Sequence, residues 1–339
     1  VVIILTTKNE LFISNIKQID STITFSDYWD HFLARMGYKR EGHYIEPGLY
    51  SLGNSNPNSP VFVTANYTLS FDALRSSLKK IDSYILVLDT KGINVWCAAG
   101  KGTFSTAELL NRIEKTGLHK TITHRRLILP QLGAPGIAAF EVKKRSGFNV
   151  EYGPIRASDI PQYLMNQEAT SKMRRVSFDI IDRIVLIPIE LNVVLLPMIL
   201  VAIILYFLGG FLEAVAVITA VLAGTVLFPI LLPWLPTKDF STKGFILGVL
   251  TAIPFSLFAF LIHQGDSLWM KTAYGLTYML IIPSIVSYLA LNFTGSTPFT
   301  SKSGVKTEIF KYIPYLAGIF IIGVIIDIIL FIVTFKGVI

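Results

Sequence analysis

The chain has 339 residues, 52% hydrophobic and 16% charged, with 30 Lys and Arg against 23 Asp and Glu. That composition excludes a disordered chain, a collagen and a disulfide scaffold. Its one cysteine, Cys97, excludes an internal disulfide, a CxxC redox pair and a four-cysteine zinc or iron–sulfur site. Residues 1–183 carry 40 of the 53 charges, for a net +6, whereas residues 184–339 carry 13 and are too apolar to be soluble alone. The sequence opens at Val1, without Met and without the basic n-region of a secretory signal; a short leader upstream is the expectation.

Through the first half, apolar runs suited to buried strands alternate with helical patterns, which predicts an α/β fold with a largely parallel sheet and helices on both faces. Strands are predicted at 61–64, 84–89 (YILVLD), 126–129 and 150–152, and helices at 71–80 and 106–116. Leu109, Leu110 and Ile113 share one face of the 106–116 helix, and Ser158-Asp159-Ile160-Pro161 opens another helix with an N-cap. Ligands of such sheets sit beyond the carboxyl ends of the strands. Here those ends carry Asn66, the 90–101 loop, the 130–136 loop and Gly153-Pro154, an edge of small residues suited to a broad, flat ligand.

Nucleotide fingerprints fail on that edge. Gly100-Lys101-Gly102 lacks the third glycine of GxGxxG, Ser105 standing there, and a Walker A motif would need Gly where Val95 stands. His31, His43, His119, His124 and His263 show no metal-ligand spacing, and Arg125-Arg126 lacks the aromatic interleaving of a nucleic-acid patch, so no nucleic-acid partner is expected.

In the second half, five stretches of about 20 apolar residues, the length that crosses a bilayer core, fall at 185–207, 211–232, 244–263, 273–291 and 313–335. Turn residues separate them, among them Gly209-Gly210, Pro236-Thr237-Lys238-Asp239 and Gly295-Ser296-Thr297-Pro298. The organisation expected is a domain over 1–170, a basic linker over 171–184 and an all-α five-helix transmembrane domain over 185–339. Lys172, Arg174, Arg175 and Arg183 precede the first span, Lys238 and Lys243 follow the second, and Lys302, Lys306 and Lys311 follow the fourth. This bias puts the first domain in the cytoplasm, at the inner membrane, and the C-terminus outside. Glu190, Glu213 and Asp327 are the acids in or beside the spans; with only Asp327 deep, an anchoring bundle is favoured over a metal-ion transporter, which stays open.

Cys97 lies between the 84–89 strand and the 106–116 helix, in Asn94-Val95-Trp96-Cys97-Ala98-Ala99-Gly100-Lys101. Position alone leaves two readings open: a buried structural cysteine, or a thiol at the ligand edge. The eight residues resemble the signature of the mercury-methylating corrinoid proteins, the HgcA family, and that resemblance extends over essentially the whole chain. Val63-Thr64-Ala65-Asn66-Tyr67 and the 153–161 segment, Gly153-Pro154-Ile155-Arg156-Ala157-Ser158-Asp159-Ile160-Pro161, are similar to parts of the corrinoid iron–sulfur protein of acetyl-CoA synthesis.

The resemblance implies a Rossmann-like corrinoid-binding domain on a five-span anchor, with Cys97 as lower axial ligand of the cobalt. A thiolate trans to the methyl group raises its electron density and favours delivery to Hg(II), as a carbanion or a radical equivalent. It further implies that Ala98, Ala99 and Gly100 let a cap helix approach the corrin face, and that Asn94 caps the turn beside Val95. Trp96 either shields the Co–S bond or packs in the core. Lys101 places a positive charge near the thiol, and Thr64, Asn66, Gly133, Gly136, Gly153 and Pro154 line the macrocycle's edge and tail. With one cysteine, electrons must come from a partner, in that family a ferredoxin-like protein with two 4Fe–4S clusters; the methyl donor is a methylfolate-linked system. A corrinoid methyl carrier serving another acceptor is the alternative.

Overall fold

The computed structural model describes residues 16–39, 42–263, 265–294, 297 and 302–336. The turn expected at 295–298 lies, apart from Thr297, outside the described residues, as does the start of the 1–170 domain. The chain divides into two compact units, Val1–Ser177 and Phe178–Ile339.

The first unit is a six-stranded sheet of β1 (Lys17–Ile19), β2 (Gly48–Leu52), β3 (Val61–Ala65), β4 (Ser83–Leu88), β5 (Arg126–Leu129) and β6 (Asn149–Tyr152), in the order β1-β2-β4-β3-β5-β6. β4, β3, β5 and β6 run parallel, while β2 pairs antiparallel to β4 with Tyr50 opposite Ile85. The helices are α1 (Phe25–Arg35), α2 (Thr68–Ser77), α3 (Val95–Lys101), α4 (Thr106–Lys115), α5 (Leu118–Thr121), α6 (Ala139–Ser146) and α7 (Ile160–Asn166). β3 and β4 are buried along their whole length, which is why their sequences read as continuous apolar runs.

Strand alternation divides the core in two. Val61, Val63 and Ala65 of β3 and Leu86 and Leu88 of β4 face Val95, Ala98, Ala99, Leu109 and Ile113 of α3 and α4. Phe62, Ile85 and Val87 face Phe71, Leu74 and Leu78 beside α2, together with Ile160 and Tyr163 of α7. Helices thus cover both faces, as the sequence predicts.

Three local expectations change. The 90–101 segment contains α3, and the 130–136 loop winds into a 3-10 turn over Gln131–Gly136. The start of α7 has no side-chain cap: Asp159 is itself in right-handed helical geometry, at the end of a 3-10 turn over Ala157–Asp159. α1 begins with a capping box, in which the Thr24 N–H donates to Asp27 Oδ2 at 2.7 Å.

The second unit is all helical: α8 (Ile180–Ile184), α9 (Ile187–Gly209), α10 (Phe211–Leu222), α11 (Phe228–Leu231), α12 (Phe240–Ile262), α13 (Leu268–Phe293) and α14 (Lys302–Lys336). Five segments are long and apolar enough to cross a membrane: Ile180–Gly209, Phe211–Leu231, Phe240–Ile262, Leu268–Phe293 and Ser303–Thr334. α10 passes into α11 through a π turn, Ala223–Leu227, just ahead of Pro229. Arg183 donates to the carbonyls of Pro229 (3.0 Å) and Ile230 (2.7 Å) there. Gly244 and Gly248 form a GxxxG pair where α12 meets α13: a Cβ on Gly248 would fall 2.4 Å from the Pro283 Cα. Glu213, near the start of α10, accepts a hydrogen bond from the Tyr278 hydroxyl.

Candidate cofactor site around Cys97

β4 ends at Leu88, and the chain turns back at once. Lys91 and Gly92 both adopt left-handed backbone, with φ of 58° and 66°. Asn66, at the tip of the neighbouring β3, holds this turn. Its side-chain oxygen accepts from the N–H groups of Thr90 and Gly92, both at 3.0 Å, and lies 2.8 Å from the Thr90 hydroxyl. Asn66 is only 3% exposed, so its side chain braces two strand tips from within. The turn's other flank is fixed by Glu108, which accepts the Asp89 N–H at 2.9 Å and Arg112 Nη2 at 2.7 Å. Burial disfavours the Glu108 charge, but the donors from Asp89, Asn111 and Arg112 outweigh it and hold the carboxyl below its usual range.

From this turn α3 starts at once. Asn94 is its N-cap, the side-chain oxygen accepting from the Cys97 N–H at 2.9 Å, and Gly102 ends it in left-handed backbone (φ 80°). Seven residues make a marginal helix alone, so packing must supply its stability. Val95, Ala98 and Ala99 are buried against the sheet, whereas Trp96, Gly100 and Lys101 are exposed and Cys97 is half-buried. The outward face therefore presents one thiol, with Gly100 three residues on and Lys101 four residues on. A Cβ at Gly100 would meet nothing within 4 Å among the described residues, so that position beside the thiol is uncrowded by them. Trp96, 39% exposed, lies outside the core, which removes its packing alternative.

Behind α3 stands the 3-10 turn. A Cβ on Gly136 would fall 2.0 Å from the Phe104 carbonyl oxygen and 3.2 Å from the Ala99 Cα, and one on Gly133 2.6 Å from the Phe104 ring. These glycines permit close packing on α3 and Phe104. β6 adds a tether, the Tyr152 hydroxyl donating to the Ile137 carbonyl at 2.9 Å.

The structure thus gathers Asn66, Asn94, Val95, Trp96, Cys97, Ala98, Ala99, Gly100 and Lys101 at the β3–β4 tips, with Gly133 and Gly136 behind them. It places Thr64, buried, on the α2 side of the sheet, opposite α3. Gly153 and Pro154 are buried at the end of β6, three strand spacings from β4 or about 14 Å. A Cβ on Gly153 would meet Ile128 at 3.2 Å. Thr90, Phe104 and Glu108 escape sequence reasoning; the one available signal was the left-handed pair at 91–92, whose glycine marks a forced turn.

A planar macrocycle needs a bare surface and one donor beneath its metal. The α3 face offers both, and no group of three or more His, Cys, Asp or Glu side chains that could hold a bare metal ion occurs among the described residues. The residues fit a group bringing its other ligands with it.

Residues 39–164 match the family described as CO dehydrogenase/acetyl-CoA synthase delta subunit. The acetyl-CoA decarbonylase/synthase complex subunit gamma of Methanopyrus kandleri is 34% identical over 127 residues, covering 37% of this chain and 27% of that protein. The Methanothermobacter thermautotrophicus subunit gamma gives the same identity and coverage. The corrinoid/iron–sulfur protein large subunit of Moorella thermoacetica is 32% identical over 118 residues, 34% of this chain and 26% of that protein. The chain spans about a quarter of the length of these curated relatives. The first unit is accordingly a corrinoid-protein-like α/β domain, followed in this chain by a helical unit with five candidate membrane spans.

Proposed function

We propose that this chain is a membrane-anchored, corrinoid-dependent methyltransferase that converts Hg(II) to methylmercury, with Cys97 as the residue that would hold the cobalt. The observation that carries the reading is the single half-buried thiol on the outward face of α3, braced from behind and flanked by a bare glycine. When bound, the corrinoid would carry the methyl group on a metal centre able to release it to an electrophile.

The chain's own residues set that metal's environment. Asn94 fixes the first turn of α3 and with it the height of the Cys97 sulfur. Ala98 and Ala99 seat the helix on the sheet without bulk, and Gly100 leaves the approach open. Trp96, the exposed aromatic next to Cys97 in sequence, is the candidate for shielding the sulfur from water. Thr64, Gly153 and Pro154, set apart from α3, act as framework, or at most on the group's outer rim.

These 339 residues hold a single cysteine and so no four-cysteine cluster, which supports an electron donor outside them, in this reading a ferredoxin-like protein with two 4Fe–4S clusters. A methylfolate-linked system supplies the methyl group. The bias of basic residues toward one set of span ends supports a first unit on the cytoplasmic side of the membrane and a C-terminus outside.

The test is the absorption spectrum and methylation activity of the purified chain loaded with cobalamin. Cys97→Ala loses the thiolate-ligated spectrum and methylmercury formation, and an unchanged spectrum overturns the ligand role. Cys97→His retains the corrinoid but transfers methyl poorly. The kinship with acetyl-CoA complex subunits favours a second reading, a methyl carrier for another acceptor. Competition between Hg(II) and thiol acceptors separates the two.

A further inference from the structure

A cavity of about 500 Å³ opens between α9, α10, α13 and α14 of the second unit. Pro197, Val217, Leu289, Ile313, Ala317 and Phe320 are among the residues that line it. Two lining residues are polar. Ser284 donates its hydroxyl to the Leu280 carbonyl at 2.8 Å, which leaves Tyr288 at the margin, 48% exposed. Nothing in this lining solvates water, and at the depth of four membrane-spanning helices the surrounding medium is hydrocarbon.

The α14 wall continues toward the start of that helix as one stripe. Ile313, Phe310 and Lys306 are spaced three and four apart and share a face. Phe310 is 71% exposed, and the Lys306 ammonium lies over its ring at 5.8 Å. Two other cations near this end have partners: Lys311 pairs with Asp239 at 3.0 Å, and Lys243 donates to the carbonyls of Leu232 and Leu235. Lys306 is exposed and makes no ion pair among the described residues. At 1.5 Å per residue the cavity begins about 10 Å from Lys306 and reaches Phe320 about 21 Å away. A lipid leaflet's hydrocarbon is about 15 Å deep, so these distances match a headgroup at the lysine and a chain in the cavity.

We propose that the cavity holds one acyl chain of an anionic phospholipid, whose phosphate pairs with Lys306. An anionic headgroup complements the lysine at the end of this apolar stripe.

The test uses the full chain in nanodiscs of phosphatidylcholine with 20 mol% phosphatidylglycerol, followed by native mass spectrometry after transfer to detergent. Wild type retains one phosphatidylglycerol in preference to phosphatidylcholine. Lys306→Gln retains a lipid but loses that preference by roughly fivefold. Ala317→Trp, which fills the cavity from α14, loses the retained lipid; Val217→Phe, which fills it from α10, does so where the tryptophan variant fails to fold. No retained lipid in wild type, equal retention of the two lipids, or full retention in a well-folded filling variant each overturns the proposal. So does a dimer that the filling variants abolish.

Discussion

Asn66→Ala tests whether the Cys97 helix is held from below. The side-chain oxygen serves the N–H groups of Thr90 and Gly92, each at 3.0 Å, and the Thr90 hydroxyl. In the alanine variant the hydroxyl keeps the Ile93 carbonyl, 2.7 Å away, but both amides lose their acceptor. Thr90 is fully buried, so its orphaned N–H stays dry and costs about 1–3 kcal/mol. Gly92 is half-buried and admits water, which makes its share smaller, and the truncated side chain leaves a small void. Together these give about 2–3 kcal/mol of local stability, or about 30- to 150-fold in an opening equilibrium. Hydrogen exchange of the full chain, read by mass spectrometry on peptides covering 89–97, should accelerate by that factor, with the β5 strand unchanged. Asn66→Asp keeps an acceptor for all three donors and should stay within about fivefold of wild type. Wild-type exchange in the alanine variant would refute the brace.

The packing behind the helix gives a second prediction. Gly136→Ala puts a methyl 2.0 Å from a backbone oxygen, which cannot swing aside as a side chain would. A shift of the 131–136 turn should cost about 1–3 kcal/mol of thermal stability and change the cobalamin spectrum, because α3 moves with it. A wild-type melting temperature and spectrum would show the contact to be soft. A third concerns His43, nearly buried, whose Nδ1 meets the Asp30 carboxylate and Nε2 the Tyr38 carbonyl, both at 2.7 Å. Both partners are acceptors, so the ring fits best as imidazolium; burial opposes this, but Tyr38 and Asp30 outweigh it and raise the pKa. Its stabilisation is therefore complete below the unfolded value near 6.5. It is lost as pH rises through the folded value. The difference in melting temperature between wild type and His43→Gln should shrink from pH 5 to pH 9, and a constant difference would exclude the charged ring.

Much of the architecture was legible because burial writes itself into sequence. β3 and β4 are buried on both faces, so residues 61–65 and 83–88 had to be apolar throughout. The spans needed about 20 apolar residues each and announced themselves by length. α3 was not legible as a helix, since its seven residues hold together only through the Asn94 cap and the contacts of Val95, Ala98 and Ala99. β2 was missed too, as nothing in residues 48–52 signals an antiparallel partner inside a parallel sheet. α1 inverts the usual rule: Phe25, Tyr28, Trp29 and Phe32 recur at helical spacing yet are exposed, and His31, Asp27 and Ala34 face inward.

The candidate site divides along the same line. The sequence names a cysteine among small residues, but smallness alone does not say what space is kept open, or on which side. At Gly100 the open space faces outward, beside the thiol, where a flat ligand fits. At Gly133 and Gly136 it faces inward and admits Phe104, which fixes the helix. Asn66, read as lining a ligand, lies beneath the turn and never reaches that face. The two sets of small residues therefore make opposite predictions. Enlarging Gly100 should block a ligand while leaving the helix in place, and enlarging Gly136 should move the helix itself. A thiol meant to hold one metal at one height needs both properties, a vacant front and an unyielding back, and α3 combines them.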